Sequence, residues 1–270
     1  MKIELSIIIV NYNGLKYLEN CFESLIENLK DISHEIIVLD NNSSDESCNY
    51  IKQNYPAIKL IESKINHGFG IGNNEAVKYA KGEYLLLINN DTILLDDLKQ
   101  ALNYIKSDNT IGVIGINMLN KNKEYIPAAG NFPNYRNMFQ FKKLLSLGLE
   151  FKSGNFSKES YEVGWLCGSF LLLSKKTYLK IDGFDKDYFM YVEDVDFCKK
   201  IANQGLKRIF LPSINYIHFV GFNPKKNPML IKGYKIYINK HFSGIKKIII
   251  SKILLINSLV KTVKLTLKTD

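Results

Sequence analysis

Segments with the pattern of buried strands alternate with segments of helical pattern through the first 117 residues, and this alternation constrains the fold most strongly. Leu5–Asn13 is a nearly continuous apolar, β-branched run, typical of a strand buried on both faces. Further strands are predicted to end at Asp40 and to cover Ile58–Ile61, Glu83–Ile88 and Ile111–Ile116, with helical segments between them. This order predicts an α/β fold with a Rossmann-like, doubly wound, mostly parallel sheet.

The sequence changes character after the fifth predicted strand. Residues 120–160 show no clear periodicity, so we expect a long connection with some helix around Met138–Leu149. A helix is then predicted to end at Gly205, followed by strands at Lys207–Leu211 and Asn215–Phe219. These features predict one domain at 1–221, in halves of about 1–117 and 118–221, and a tail at 222–270.

The tail is predicted to form a basic amphipathic helix. Apolar residues recur at spacings of three and four from Ile245 to Leu267, with lysines on the other face and Lys252 interrupting the apolar one. Such a helix, at 244–270, either lies on an anionic membrane or packs on the protein's own core, and the pattern favours neither. The net charge of +9 likewise suits nucleic acid, an anionic membrane or a phosphorylated ligand.

The cysteines and the N-terminus predict a cytoplasmic protein. Cys21, Cys48, Cys167 and Cys198 lack the close spacing of zinc or redox motifs, so we interpret them as reduced core thiols. The apolar N-terminus is too short for a signal peptide, and no uninterrupted apolar run reaches the length of a membrane span. If the tail binds lipid, the protein would lie peripherally at the inner face of the cell membrane.

Three polar clusters end predicted strands: Asn11–Asn13, Asp40–Asn42 and Asn89–Asp91. Each alone is typical of a loop or a helix cap. Ligands of open α/β sheets bind at the carboxyl ends of the strands, so three clusters at one edge predict a binding site. A buried carboxylate such as Asp91 is costly without a partner, which predicts either solvent at this rim or a cation.

A second group of acids lies in "VEDVDFC", where Glu193, Asp194 and Asp196 fall within four residues. Acidic residues at a helix N-terminus interact favourably with the helix dipole, so a purely structural interpretation stays open. The functional reading is a carboxylate among aromatic residues that acts as a general base. His218 follows near a predicted strand end, where it is either structural or a ligand.

Seven segments occur in the order seen in family 2 glycosyltransferases, which the chain resembles over residues 5–221: "SIIIVNYNG", "VLDNNSSD", "NHGFGIGNN", "LLINNDT", "WLCGSFLLLSKK", "GFDKDYFMYVEDVDFCKK" and "HFVG". Within that family it is most similar to the bacterial branch that includes rhamnosyltransferases of cell-surface polysaccharide synthesis. The resemblance implies the GT-A fold, with residues 1–221 as the catalytic domain, and an inverting reaction.

The resemblance also implies roles for individual residues. Asp194 matches the catalytic base, and Asn89–Asp91 stands where the family has its D-x-D motif. Only one carboxylate remains in that motif, so metal binding by Mg²⁺ or Mn²⁺ is expected at Asp91 with His218. The residues expected to bind the donor are Val10, Asn11, Asp40, Asn66, Asn74 and Asn90. Those expected on the acceptor side are Trp165, Gly168 and Glu193.

The resulting hypothesis is an inverting transfer of a sugar from a dTDP- or UDP-linked donor. Within the resemblance, dTDP-rhamnose is the donor we expect. The acceptor would be a hydroxyl of a glycan or lipid-linked acceptor, and no nucleic acid is expected as a partner. One alternative is a non-catalytic sugar-nucleotide-binding or scaffold protein on the same fold. A sugar nucleotidyltransferase is less favoured, because "NYNGLKYLEN" lacks a Gly-rich, basic triphosphate loop.

Overall fold

The computed structural model describes residues 2–219 and 227–266, and it describes their side chains except at 141–142, 227 and 260–266. The predicted boundary between domain and tail, at 221–222, lies outside the described residues, as does the end of the predicted tail helix at 267–270.

The first half follows the predicted alternation of strands and helices. Its elements are β1 (Leu5–Asn11), α1 (Leu15–Asn28), β2 (His34–Asp40), α2 (Ser47–Asn54), β3 (Lys59–Glu62), α3 (Gly68–Val77) and β4 (Tyr84–Ile88). The four strands are parallel neighbours in the order β3-β2-β1-β4. The register pairs Asn11 at the end of β1 with Asp40 at the end of β2, which brings two of the predicted polar clusters together.

The second half begins with β5 (Thr92–Leu94), α4 (Lys99–Ser107), β6 (Ile111–Leu119), β7 (Tyr125–Ile126) and β8 (Ala129–Gly130). Of the helix predicted around Met138–Leu149, only a short part is observed within those bounds. A short 3-10 helix at Phe141–Leu145 is separated by Gly148, at φ +125°, from α5 (Leu149–Ser153). A glycine in that conformation interrupts any continuous helix.

The remaining strands and helices are β9 (Tyr161–Glu162), β10 (Trp165–Leu166), β11 (Phe170–Ser174), α6 (Lys175–Lys180), α7 (Glu193–Asn203), β12 (Lys207–His218), α8 (Asn227–His241) and α9 (Gly244–Thr266). The two strands predicted at 207–219 are one strand whose pairing with β6 is irregular between Leu211 and Asn215, next to Pro212. Proline cannot donate to a strand ladder, so an irregularity there is expected.

The full sheet is mixed and mostly parallel, in the order β3-β2-β1-β4-β11-β6-β12-β5. β11 runs antiparallel between β4 and β6, and β12 is parallel to β6 but antiparallel to β5. An antiparallel strand presents its first residues where its parallel neighbours present their last. The start of β11 therefore lies at the same sheet edge as the end of β4.

The sheet is buried on both faces, as its continuous apolar strands predict. Along β1, Ile7 and Ile9 pack into one core cluster and Ile8 into the other. A third apolar cluster lies under α8 and α9. The four cysteines are free thiols, and Cys21 and Cys198 are buried, which raises the pKa of each to about 12.

The helix predicted at 244–270 is observed as α9 within the described residues, and it is preceded by a helix that was not predicted, α8. α9 packs through Ile250, Ile253, Leu254 and Asn257, and Asn257 Nδ2 donates to the carbonyl of Met138 over 2.8 Å. The predicted apolar face instead points mainly outward, with these exposed members: Ile245, Ile248, Ile249, Ile256 and Leu259. Among the described residues, no helix is long and apolar enough to cross a membrane.

Candidate active site

The ends of β1, β2 and β4 meet in a buried polar network. Asn11 Nδ2 donates to Asp40 Oδ1 over 2.8 Å and to Ser43 Oγ over 3.2 Å. Asn11 Oδ1 accepts from Asn90 Nδ2 over 2.7 Å, and Asp40 Oδ2 accepts from the backbone nitrogen of Ser43 over 2.8 Å. A carboxylate offers about four acceptor positions, so Asp40 keeps capacity for a further donor. Three predicted donor-binding residues therefore form one connected group.

The turn into α3 lies beside this group and is held by amide side chains. Asn66 Oδ1 accepts from the backbone nitrogen of Gly68 over 2.8 Å, and Asn41 Nδ2 donates to the Gly68 carbonyl over 3.0 Å. Gly68 has φ +75°, and a Cβ there would lie 2.1 Å from the carbonyl oxygen of Phe189. Only glycine fits this conformation and this close approach. Asn66 is thus near the predicted pocket, with its side-chain oxygen used by the turn.

Val10 and Asn74 have different surroundings. Val10 packs against Gly72, where an added Cβ would lie 2.9 Å from Val10 Cγ1, so it fixes α3 on β1. Asn74 donates to the Phe184 carbonyl over 2.8 Å and accepts from Tyr178 Oη over 2.6 Å and from Phe184 N over 2.8 Å. These bonds use the Asn74 amide to join α3 to α6 and the following turn. Its role in donor binding stays a prediction that these contacts do not support.

Asp91 and His218 form a second polar group next to the first. Asp91 Oδ1 lies 3.2 Å from His218 Nε2, and both side chains are nine-tenths buried. Asn89 Nδ2 lies 3.4 Å from the same imidazole nitrogen. Adjacent ligand atoms of an octahedral Mg²⁺ or Mn²⁺ ion stand about 3 Å apart. The distance between Asp91 Oδ1 and His218 Nε2 is therefore compatible with both atoms binding one cation.

The described residues contain no group of three or more His, Cys, Asp or Glu side chains able to hold a metal. Asp91 and His218 therefore fit a cation only as partial ligands, with the remaining positions left to a bound phosphate and water. This is the usual arrangement for Mg²⁺, which keeps waters and binds through one or two carboxylates plus substrate phosphates.

The dipeptide Gly168–Ser169, which leads into β11, links this polar group to Asp194. The Gly168 backbone nitrogen donates to Asp194 Oδ2 over 3.1 Å. The Ser169 carbonyl accepts from the backbone nitrogen of Asn89 over 3.2 Å, while Ser169 Oγ lies 2.7 Å from Tyr216 Oη. The predicted base therefore contacts Gly168, while Asn89, whose side chain lies beside His218, contacts the next residue, Ser169.

Asp194 and Glu193 begin α7 in largely dehydrated surroundings. Burial raises the pKa of Asp194, and hydrogen bonds from the backbone nitrogens of Gly168 and Val195 oppose that rise. Burial, followed by the charge of Asp194, raises the pKa of Glu193 well above its ordinary range. Glu193 Oε2 is buried and has no hydrogen-bond partner among the described residues. A carboxylate with a raised pKa is a stronger base, as general base catalysis requires.

The predicted acceptor residues lie on the β8–β10 side of α7. Trp165 Nε1 donates to the Asn131 carbonyl over 3.0 Å, which holds the half-buried indole. Gly168 lies against Phe69, whose Cε1 would be 3.1 Å from an added Cβ. Glu193 is buried, so its role in acceptor binding stays a prediction that its surroundings do not support.

Two polar contacts were missed by reasoning from sequence. Ser43 takes part in the Asn11–Asp40 network, and its signal was its position directly after the polar cluster Asp40–Asn42. Asp196 is buried and lies with Oδ1 2.7 Å from His241 Nε2. No sequence signal connects that acid with a histidine in the tail.

The mixed sheet, with polar groups at the ends of β1, β2 and β4, has the architecture that the predicted GT-A fold requires. The chain belongs to glycosyl transferase family 2, whose family model matches residues 6–163. The protein is thus an enzyme that transfers a sugar from a nucleotide sugar, as the sequence predicted.

Named relatives and solved structures agree with this class. The chain is 29% identical to rhamnosyltransferase WbbL of Escherichia coli K12 over 226 residues, covering 79% of this chain and 82% of that protein. It is 23% identical to the N-acetylglucosaminyl-diphospho-decaprenol L-rhamnosyltransferase of Mycobacterium tuberculosis H37Rv, covering 83% of this chain and 78% of that protein.

Two solved structures match most of the fold. GalNAc-T7 with UDP, GalNAc and Mn²⁺ matches with a TM-score of 0.67 at 16% identity, covering 95% of this chain and 54% of that one. The Pyrobaculum calidifontis mannosyltransferase PcManGT with GDP-Man and Mn²⁺ matches with a TM-score of 0.62 at 17% identity, covering 94% and 70%. Identities this low support the shared fold, and these neighbours bind Mn²⁺.

Proposed function

We propose that this enzyme transfers a sugar, with inversion at the anomeric carbon, from a dTDP- or UDP-linked donor to a hydroxyl of a glycan or lipid-linked acceptor in cell-surface polysaccharide synthesis. The observation that carries the proposal is the Gly168–Ser169 peptide, which contacts Asp194 on one side and Asn89, beside Asp91 and His218, on the other. The rhamnosyltransferases among the relatives support dTDP-rhamnose as the donor.

The nucleotide would bind at the network of Asn11, Asp40 and Asn90. The unused acceptor positions of the Asp40 carboxylate suit the ring N–H of uracil or thymine, and this contact would select those bases. Asn11 Nδ2 and the Ser43 backbone nitrogen hold the carboxylate for that contact, over 2.8 Å each. Charge-assisted hydrogen bonds of this kind are stronger than neutral ones.

The donor diphosphate would extend from there toward Asp91 and His218, which would hold a divalent cation. A bound Mg²⁺ or Mn²⁺ supplies Lewis-acid stabilisation of the negative charge on the leaving diphosphate. Strand pairing would set where Asp91 and His218 hold this cation, because His218 is the register partner of Thr92, the residue after Asp91.

Asp194 would act as the general base. As the acceptor oxygen attacks the anomeric carbon, the bond from that carbon to the diphosphate oxygen breaks, and the hydroxyl proton passes to the Asp194 carboxylate. Attack opposite the leaving group inverts the configuration. The backbone nitrogens of Gly168 and Val195 donate hydrogen bonds of 3.1 and 2.8 Å to the carboxylate. These bonds would keep it oriented toward the acceptor hydroxyl.

The test combines donor binding with transfer by the purified protein. A thermal-shift screen of nucleoside diphosphates and their sugars with Mg²⁺ and Mn²⁺ identifies the donor, because a ligand that binds the folded state raises the melting temperature. With that donor, Asp194→Asn should lose about 10²- to 10⁴-fold in transfer and keep its donor affinity. Unchanged transfer by this variant contradicts the base assignment, and donor binding without transfer by the native enzyme supports the scaffold alternative.

We propose further that the tail docks on an anionic membrane. Residues 227–270 hold nine of the 36 basic residues and one of the 27 acidic residues, so they carry +8 of the net charge of +9. On α9 the exposed apolar side chains Ile245, Ile248, Ile249, Leu255, Ile256 and Leu259 fall within one arc of about 120° at helical spacing. An apolar arc among lysines suits the headgroup layer, where a lipid-linked acceptor would be found.

A further inference from the structure

The turn that leads into α7 has an unusual backbone. Tyr191 and Val192 have φ of 70° and 73°, so two consecutive non-glycine residues adopt the left-handed conformation directly before Glu193 and Asp194. For a β-branched residue such as Val192 this conformation is a genuine outlier. Backbone of this kind persists only where the surrounding structure holds it.

α8 supplies a close contact to this turn. A Cβ added at Gly233 would lie 2.5 Å from the Tyr191 carbonyl oxygen and 2.8 Å from Val192 Cγ2. The absence of a side chain at Gly233 therefore lets the helix backbone press directly on the two strained residues. Glycine in a helix interior is ordinarily unfavourable, so this position is explained by the close approach and not by helix formation.

α8 also holds both ends of the segment around the turn. Lys240 Nζ lies 2.8 Å from Asp185 Oδ2 and 2.7 Å from Asp187 Oδ2, before the turn. His241 Nε2 lies 2.7 Å from Asp196 Oδ1, after the turn and within the first two helical turns of α7. Tyr188 Oη donates to the same Asp196 oxygen over 3.3 Å.

The contact between His241 and Asp196 is energetically important because Asp196 is buried. The residue is 1% exposed, and the side chains of His241 and Tyr188 bond its Oδ1. Removing one partner of a buried carboxylate is strongly unfavourable, so α7 is expected to shift when His241 is lost. Asp194 lies two residues earlier in the same helix and would move with it.

We propose that α8 is a brace that sets the orientation of Asp194, with Gly233 and His241 as positioning residues. Gly233 holds the left-handed Tyr191–Val192 turn, and His241 holds Asp196. Asp194 itself meets the substrate, while the two α8 residues act through the backbone that carries it. This inference rests on the proposed function, which makes Asp194 the base.

The test compares Gly233→Ala, His241→Ala and His241→Gln in the full chain. Asn239→Ala is the matched control, because Asn239 is an exposed residue of the same helix. Gly233→Ala and His241→Ala should each lower kcat for transfer by about tenfold or more while leaving the donor Kd within about twofold, since a misplaced catalytic group costs rate and not donor binding. His241→Gln retains an amide N–H in place of Nε2 and should recover most of the rate.

A readout independent of catalysis separates this inference from the proposed function. The backbone amides of Gly168 and Val195 donate to the Asp194 carboxylate, so their hydrogen exchange reports its position. Both alanine variants should speed exchange at Gly168 by about tenfold or more relative to Asn239→Ala. Native exchange rates in Gly233→Ala and His241→Ala overturn the brace, whatever the activity shows. If Asp194→Asn keeps full transfer, the base assignment fails, and the exchange result still decides the brace; if only Gly233→Ala fails to fold, His241→Ala decides it.

Discussion

Asp91 Oδ1 and His218 Nε2 lie 3.2 Å apart because β12 runs antiparallel to β5, with His218 opposite Thr92. The backbone nitrogen of Phe219 donates to the Asp91 carbonyl over 2.9 Å and extends this pairing by one residue. Two residues far apart in sequence are thus set side by side by strand register. Neither side chain needs a loop rearrangement to meet a shared ligand.

The first prediction concerns metal-dependent donor binding. Asp91→Asn and His218→Ala each remove a candidate ligand, and each should weaken donor affinity in Mg²⁺ or Mn²⁺ by at least about tenfold. Calorimetry with and without chelator measures the effect. In chelator, both variants should bind the donor as the native enzyme does. Equal loss with and without metal would show that these residues contact the donor directly or maintain the fold.

The second prediction concerns the pH dependence of transfer. The base must be deprotonated, and burial raises the pKa of Asp194 above its ordinary value of 3.8. Activity should therefore fall as the pH drops through that raised value, so the acidic limb of the kcat profile lies above pH 3.8. The donor Kd should change little over the same limb. A rate that stays constant down to that pH would argue against a titrating Asp194.

The third prediction concerns stability. Because burial raises the pKa of Glu193 above 4.5, the folded state holds this proton more tightly than the unfolded chain does. The contribution of Glu193 to the free energy of unfolding is therefore greatest below pH 4.5 and decreases as the pH rises toward the raised pKa. The decrease is about 1.4 kcal/mol for each pH unit between the unfolded and folded pKa values.

Glu193→Gln keeps the side chain neutral at every pH. It should flatten this decline and make the protein more stable than the native enzyme at neutral pH. Urea unfolding at a series of pH values from about 5 to 8 measures both slopes. Glu35→Gln, at a half-buried residue whose Oε1 accepts from Ser6 Oγ over 2.7 Å, is the control for the same exchange elsewhere in the fold. Identical slopes for native and Glu193→Gln proteins would contradict the prediction.

The fourth prediction separates structure from donor binding at Asn74. Its amide makes hydrogen bonds to Phe184 and Tyr178, so Asn74→Ala should lower the free energy of unfolding by roughly 2 kcal/mol or more. The donor Kd should stay unchanged at a temperature where the variant is folded. Denaturant unfolding and calorimetry give the two values. A donor affinity lost without a change in stability would restore Asn74 to the donor pocket.

The fifth prediction concerns the membrane. The protein should co-sediment with vesicles containing phosphatidylglycerol more than with phosphatidylcholine vesicles, and added salt should weaken the binding. Combined Ile248→Ser, Ile256→Ser and Leu259→Ser should weaken it by at least about tenfold, because apolar burial is lost while charge is kept. Leu179→Ser removes an equally exposed leucine outside the tail and is the matched control. Equal sedimentation of all three proteins would contradict docking through α9.

The strands β1, β2 and β4 of the first half were predictable because each is buried on both faces. Ile7, Ile8 and Ile9 are all fully buried, and only a sheet covered on both sides makes such a run favourable. The meeting of their polar ends was also predictable, because parallel strands place their last residues at one edge of the sheet. Asn11 and Asp40 are hydrogen-bonded at that edge, as this argument predicts.

The second half was harder because its order depends on long-range pairing. Nothing in "FLLLS" distinguishes an antiparallel β11 from a parallel strand, and the Asp196–His241 contact joins helices with no shared sequence pattern. The tail misled for a related reason. Both sides of α9 carry apolar residues, and spacing alone did not show that Ile250 and Leu254 would be the buried ones.

The reversed direction of β11 has a consequence for how such enzymes diversify. Its entry peptide, Gly168–Ser169, brings the chain back from residues 120–167 to the edge where β4 ends. Exchanging or lengthening residues 120–167 leaves the sequences of β1, β2 and β4, the strands that carry the proposed nucleotide-binding residues, unchanged. Grafting this excursion between homologues is thus a route to new glycan products from an unchanged activated sugar.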